Sequence, residues 1–350
     1  MSKRANRVKW IDNMRGMAII AVVVCHQMNF LHSSETVQCL TLYSVTSLVF
    51  LMGLTKGFSL SRFIKSRNKD ETFLQYTIKS LLPVLSAYFV ASYIILRKAN
   101  IGDNQQLMIS LLNYSADSPF YYVQHIIRLS VFAPVIFFTI SKIFDEQNKL
   151  VRIIKLIAFL ALLWIVGYFS IGVLDIFSQS YLFVYALGIL CSFVSLPKPT
   201  LKLLVLDICM LLFGGYAVFR FYFARVAGNY SYSEFIDIID PKLQMNPPNI
   251  SIIIYSFACI LLVYVLSDLE SKFSLLKLPF GILQTMGKYS LDIFLWHLFL
   301  KNTYVEYFGI PENIVIRRVA FYLLMIGVPV VVRLLYEKMK SSIYSYYFYV

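Results

Sequence analysis

The 350-residue chain is 59% hydrophobic and only 15% charged, with a mean hydropathy of +0.68. Soluble domains hold roughly 25% charged residues, so the composition excludes a soluble enzyme and points to lipid as the solvent. The formal charge of +13 raises nucleic acid as a partner, but the basic residues are placed as a membrane-topology signal instead, and no nucleic-acid partner is expected.

Apolar runs of about 17–22 residues predict an all-α, polytopic membrane protein with spans near 14–31, 40–60, 78–96, 120–141, 151–171, 175–195, 201–223, 250–267, 281–301 and 315–337. Basic residues alternate between the connections. One side holds Lys3, Arg4, Arg7 and Lys9, then Arg62, Lys65, Arg67 and Lys69. It continues with Lys142, Lys149 and Arg152, with Lys198 and Lys202, with Lys272 and Lys277, and with Lys338 and Lys340. The other side holds only Arg97, Lys98, Arg225, Lys242 and Lys301. The positive-inside rule makes the first side cytoplasmic, and about ten spans then leave both termini there. The 25 Tyr and 29 Phe suit belts at the two bilayer interfaces.

The first span has a basic flank but no small-residue cleavage site, because Gln27, Asn29 and His32 follow it. The five Cys (Cys25, Cys39, Cys191, Cys209, Cys259) share no spacing that suggests a disulfide framework or a zinc site. No repeat or soluble domain is evident, so residues 1–350 are expected to form one transmembrane domain. The longest polar connections, about 97–119 and about 224–249, lie on the outer side. The second is rich in Tyr and carries Glu234, Asp237 and Asp240.

Ionisable groups at membrane depth are costly and are functional candidates by default. Arg15 and His26 are 11 residues apart, which places them within about 20° on one helical face and roughly 16 Å apart along the axis. Asp12 lies within about 40° of the same stripe, three residues from Arg15, and can pair with it. This register suits a coenzyme A thioester, with the anionic head held by Arg15 at the cytoplasmic mouth and the thin arm threading inward. His26, at the end of the arm, would act as general base on a hydroxyl. The plainer alternative makes Arg15 a snorkelling flank and His26 a packing residue.

In the ninth span, Ser290 and His297 share a face to within about 20°, whereas Asp292 is roughly 140° from His297, which argues against an Asp–His relay. A polar seam between helices is the alternative there. At the outer end of the fourth span, Tyr121, Tyr122, His125 and Arg128 are linked by helical steps. The tyrosines suit an interfacial belt, while Arg128 sits in an apolar run and needs a partner. No P-loop, dinucleotide fingerprint or nucleophile elbow is present. The four His (His26, His32, His125, His297) lack metal-ligand spacing, so no metal is expected.

Asp12, Arg15 and Gly16, then an apolar helix reaching His26 with ten residues between Arg and His, resemble the opening of the acyltransferase-3 family of integral membrane enzymes. Ser290-Leu291 through Leu295-Trp296-His297 resembles that family's near-terminal Ser-Leu…Leu-x-His motif. Pro247-Pro248 resembles its Pro-Pro element, and Tyr121-Tyr122 the aromatic start of its fourth helix. Two departures stand out. Ser80 lies three residues before Pro83, where members carry Arg, with Lys79 as the nearest base in sequence; and Trp296 replaces a small or aliphatic residue.

The resemblance implies an O-acyltransferase, usually an O-acetyltransferase, of surface polysaccharide, multi-pass in the plasma membrane at the cell surface. Acetyl-CoA would be the donor, held by Arg15 and Lys79 with Asp12 beside them. His26 would be the base, His297 would orient the centre, and Arg128 or Ser290 would supply donors to the tetrahedral intermediate. Tyr121, Tyr122, His125 and Arg128 would face the acceptor, a surface glycan or lipid-linked sugar. The competing reading is a transporter or flippase for such a saccharide. It predicts broken helices in paired halves, for which the sequence shows no half-to-half similarity.

Overall fold

The computed structural model describes residues 8–27, 37, 40–66, 72–99, 103–169, 178–194, 198–226, 248–270, 272–310 and 315–348. These form twelve α-helices: α1 (Lys9–His26), α2 (Tyr43–Ser66), α3 (Phe73–Lys98), α4 (Asn104–Leu112), α5 (Tyr121–Phe144), α6 (Lys149–Phe169), α7 (Gln179–Cys191), α8 (Leu201–Val226), α9 (Ile250–Leu269), α10 (Ser274–Lys288), α11 (Ser290–Phe308) and α12 (Val315–Phe348). Six of them are long and apolar enough to cross a membrane: α2, α3, α5, α6, α9 and α12. Large apolar side chains point outward on many helices, with Leu275 86%, Ile316 78% and Phe308 75% exposed. A water-soluble chain rarely shows so much continuous apolar surface, and hydrocarbon accounts for it here.

Helix starts follow local chemistry. The Thr72 hydroxyl accepts from the Gln75 amide N–H while the Gln75 side chain accepts from the Thr72 N–H, a reciprocal cap that opens α3. Asp103, Asn148 and Asn249 cap α4, α6 and α9 by accepting backbone N–H groups. Between α5 and α6 the Lys155 ammonium donates to Glu146 at 2.5 Å and holds that carboxyl below its ordinary range.

The chain divides into two compact units. The first comprises Met1–Ser44 and Val263–Val350. In it α1 packs along α10 and also touches α11 and α12. The Asp12 carbonyl lies against Gly287, and the Leu283 carbonyl against Gly16. Numbers rise along α1 as they fall along α10, so the two helices run antiparallel. A Cβ on Gly287 would sit 1.9 Å from the Asp12 oxygen, and one on Gly16 would sit 2.1 Å from the Leu283 oxygen. Only glycine permits this approach, as small residues generally do at membrane helix contacts. Asn13 adds polar glue, donating to the Ser267 hydroxyl at 2.8 Å.

The second unit, Val45–Leu262, packs α7 on α5 and α6, and α3 on α4 and α5. Gly53 and Gly188 let α2 and α7 meet backbone to backbone. The fully buried Tyr88 donates from its hydroxyl to the Leu111 carbonyl at 2.8 Å and packs on Phe120 and Tyr114.

Two expectations change. The connection at 97–119 is not a plain loop. It carries α4, whose Leu107 and Leu111 share a face and bury against Leu96. The expected ninth span, 281–301, is two helices that break at Tyr289, which sits at φ −108°, ψ 21°. The Tyr289 hydroxyl and the Lys288 ammonium both donate to Glu337 on α12, at 3.1 and 3.0 Å, and this fixes the bend. Most of the Tyr-rich outer connection, with Glu234, Asp237, Asp240 and Pro247, lies outside the described residues, as do His32 and Cys39.

Candidate functional site

His26 ends α1, and His297 lies fully buried in the second turn-pair of α11. The Nδ1 of His26 is 2.7 Å from the Nε2 of His297. The ring planes are 9° apart with centroids separated by 5.0 Å. With the nearest nitrogens at 2.7 Å, that separation leaves room only for the two ring radii, so the rings lie edge to edge and nearly coplanar.

The surroundings assign the protons. His297 Nδ1 is 2.8 Å from the Phe294 carbonyl and 3.2 Å from the Ile293 carbonyl. Carbonyl oxygens only accept, so Nδ1 carries the hydrogen and Nε2 of the neutral ring has the lone pair. His26 Nδ1–H then donates to that lone pair. The remaining nitrogen of His26, Nε2, is left unprotonated, as a base requires.

Asp12 is buried, and its carboxylate is 3.9 Å from the Arg15 guanidinium, which is partly exposed. These residues, with His26, His297 and Ser290, belong to the first unit. Ser290 is the first residue of α11, and seven residues of helix separate it from His297, about 10 Å along the axis. Asp292 turns away from the histidines and meets Arg333 at 3.9 Å. A groove of about 400 Å³ between α10 and α12, lined by Lys277, Thr285, Met286 and Ile326, includes none of the site residues.

The other expected residues belong to the second unit. Lys79 is exposed on α3. Tyr122 is buried and Tyr121 partly exposed at the start of α5. His125 is buried, its Nδ1 2.7 Å from the Ser178 hydroxyl, with Tyr121 and Tyr181 edge-on to its ring. Arg128 is half-buried one turn further on.

Three residues were not singled out from sequence. Lys301 lies one turn beyond His297, and its charge acts on both imidazoles. Its i+4 spacing from His297 was the available signal. Gln27, next to His26, is fully buried, and neither amide atom has a partner among the described residues. Lys56, a single cation inside the apolar run of α2, is buried and donates to Ser80 at 2.6 Å. The base that reaches Ser80 in space is thus Lys56.

The described residues are all helical, six of their helices are long and apolar enough to cross a membrane, and they hold a hydrogen-bonded histidine pair. The acyltransferase-domain model of the acyltransferase-3 family matches residues 8–334. The chain therefore belongs to that family and is a membrane acyltransferase. No curated protein and no solved structure was found to match it.

Proposed function

We propose that the protein transfers an acyl group, acetyl by the habit of its family, from cytoplasmic acetyl-CoA to a hydroxyl of a surface glycan or lipid-linked sugar at the plasma membrane. The observation that carries this reading is the His26–His297 contact at 2.7 Å within an acyltransferase-3 chain. In this reading α1, α2, α3, α5, α6, α7, α8, α9, α11 and α12 are the ten spans, and both termini are cytoplasmic. Alternation of the basic residues supports that topology.

Arg15, steadied by Asp12, holds the phosphates of the donor at the inner mouth, and Lys79 is a second cation for the donor by the family resemblance. The pantetheine arm follows the α1 stripe to His26. His26 Nε2 takes the proton of the acceptor hydroxyl as its oxygen attacks the thioester carbonyl. His297 accepts the hydrogen bond from His26 Nδ1 and so stabilises the imidazolium that forms. In this reading Lys301, one turn beyond, counters the negative charge that develops on the carbonyl oxygen. Collapse of the tetrahedral intermediate breaks the C–S bond, and the leaving thiolate takes the proton from His26. Tyr121, Tyr122, His125 and Arg128 offer the acceptor an aromatic and hydrogen-bonding surface. Ser290 begins the helix that carries His297.

The test is transfer of label from radiolabelled acetyl-CoA in membranes, at matched expression. Wild type labels extracellular glycan. His26→Ala lowers turnover by about 10²–10⁴-fold, and Arg15→Ala raises the donor KM. Label transfer indifferent to His26→Ala would sink the mechanism. Absent transfer, with glycan export failing when the protein is removed, would favour the transporter.

A further inference from the structure

Gln27 follows His26 directly and is 0% exposed. Its backbone N–H donates to the Val24 carbonyl at 3.1 Å, but neither its amide oxygen nor its amide nitrogen has a partner among the described residues. Asn13, near the opposite end of α1, shows what a structural amide does in this helix, since it donates to Ser267 at 2.8 Å. A buried polar group left without a hydrogen bond destabilises a fold. A carboxamide held in this way calls for a ligand that completes it.

The two idle ends define that ligand. The Oε1 atom needs a donor and the Nε2 atom needs acceptors. The reacting thioester carbonyl only accepts, so it leaves Oε1 unanswered. A hydroxyl both donates and accepts, and therefore answers both ends. His26 is partly exposed, which opens the end of α1 to an acceptor, and the Cα atoms of residues 26 and 27 are about 3.8 Å apart. A sugar hydroxyl seated on His26 Nε2 thus brings the next hydroxyl of the same ring within reach of the Gln27 carboxamide. That carboxamide is already stripped of water and of protein partners, so it gives up no bond when it meets the sugar.

We infer that Gln27 is an acceptor-binding residue, whose carboxamide accepts from and donates to the hydroxyl next to the one that is acylated. The acceptor is then a carbohydrate with two adjacent hydroxyls, not an isolated alcohol. The inference rests on the acyltransferase reading above, with His26 as the base.

Radiolabelled acetyl-CoA is supplied to membranes carrying the cell's own surface glycan, with wild type, Gln27→Met and Gln27→Asn at matched expression. The thermal midpoint of each purified full chain is followed in detergent. Gln27→Met keeps the length of the side chain without its polar atoms. It is expected to lower label transfer to glycan by about tenfold or more, with the donor KM unchanged and the midpoint held or raised. Lost transfer with retained or increased stability marks a group kept for a ligand. Gln27→Asn, which withdraws the same amide by one methylene, is expected to lose about fivefold. Wild type that labels nothing fails the acyltransferase reading, and the inference with it. With wild type active, three results would overturn the inference alone. Gln27→Met may match wild-type transfer; its donor KM may rise, which would put the amide on the pantetheine arm; or its midpoint may fall or the chain not fold, which would make the amide structural.

Discussion

A neutral imidazole has one proton and one lone pair, and in His297 both are committed. The Phe294 carbonyl fixes the His297 tautomer, and His297 fixes that of His26. A glutamine at 297 can still accept at the Nε2 position, whereas alanine cannot. His297→Ala is therefore expected to lower kcat by about a hundredfold with the donor KM nearly unchanged, and His297→Gln to recover part of the loss. Equal kcat for the two variants would show that the lone pair at position 297 is not what matters. The Arg15–His26 stripe was legible in the sequence because both residues lie on one helix with a fixed period. Helical geometry says nothing about contacts 271 residues apart, so only the family resemblance put His297 at the same centre. Lys56 and Lys301 were hidden for another reason: a single lysine in or beside an apolar run reads as flank until its neighbours are known.

At the level of helices, α1 and α10 depend on two glycines with reciprocal contacts. A methyl at either position must push the helices apart, costing about 1–3 kcal/mol by overpacking. Gly287→Ala and Gly16→Ala should lower the thermal midpoint in detergent, followed by circular dichroism. Gly281→Ala, on the same helix with nothing within 4 Å of its Cβ, should leave the midpoint unchanged or raise it. Equal midpoints for Gly287→Ala and Gly281→Ala would show that the close approach is not limiting. The break at Tyr289 was hard to read because it contains no proline and a hydropathy window averages across a single residue. Its traces, Gly287 and Ser290 on either side, resembled polar positions within one helix. The short α4 was missed because nine residues cannot cross a bilayer and its buried face holds only two leucines.

For the whole molecule, membrane residence was legible in composition alone, since burial of one face cannot explain an excess of apolar residues this large. Orientation rests on the basic residues. With the native cysteines replaced, a cysteine at Lys98 is expected to react with an impermeant maleimide in intact cells. A cysteine at Lys149 should react only after permeabilisation. The reverse pattern would invert the topology and place Arg15 at the wrong surface for a cytoplasmic donor.

The in-line histidines carry a further consequence for an enzyme that works in oil. A relay ending in a carboxylate holds a permanent anion, whose desolvation must be offset throughout the resting life of the protein. Here the terminal acceptor is a peptide carbonyl already present in the helix, so the resting relay has no formal charge. Charge separation arises only while a proton is in transit, and the buried contact carries no standing electrostatic penalty.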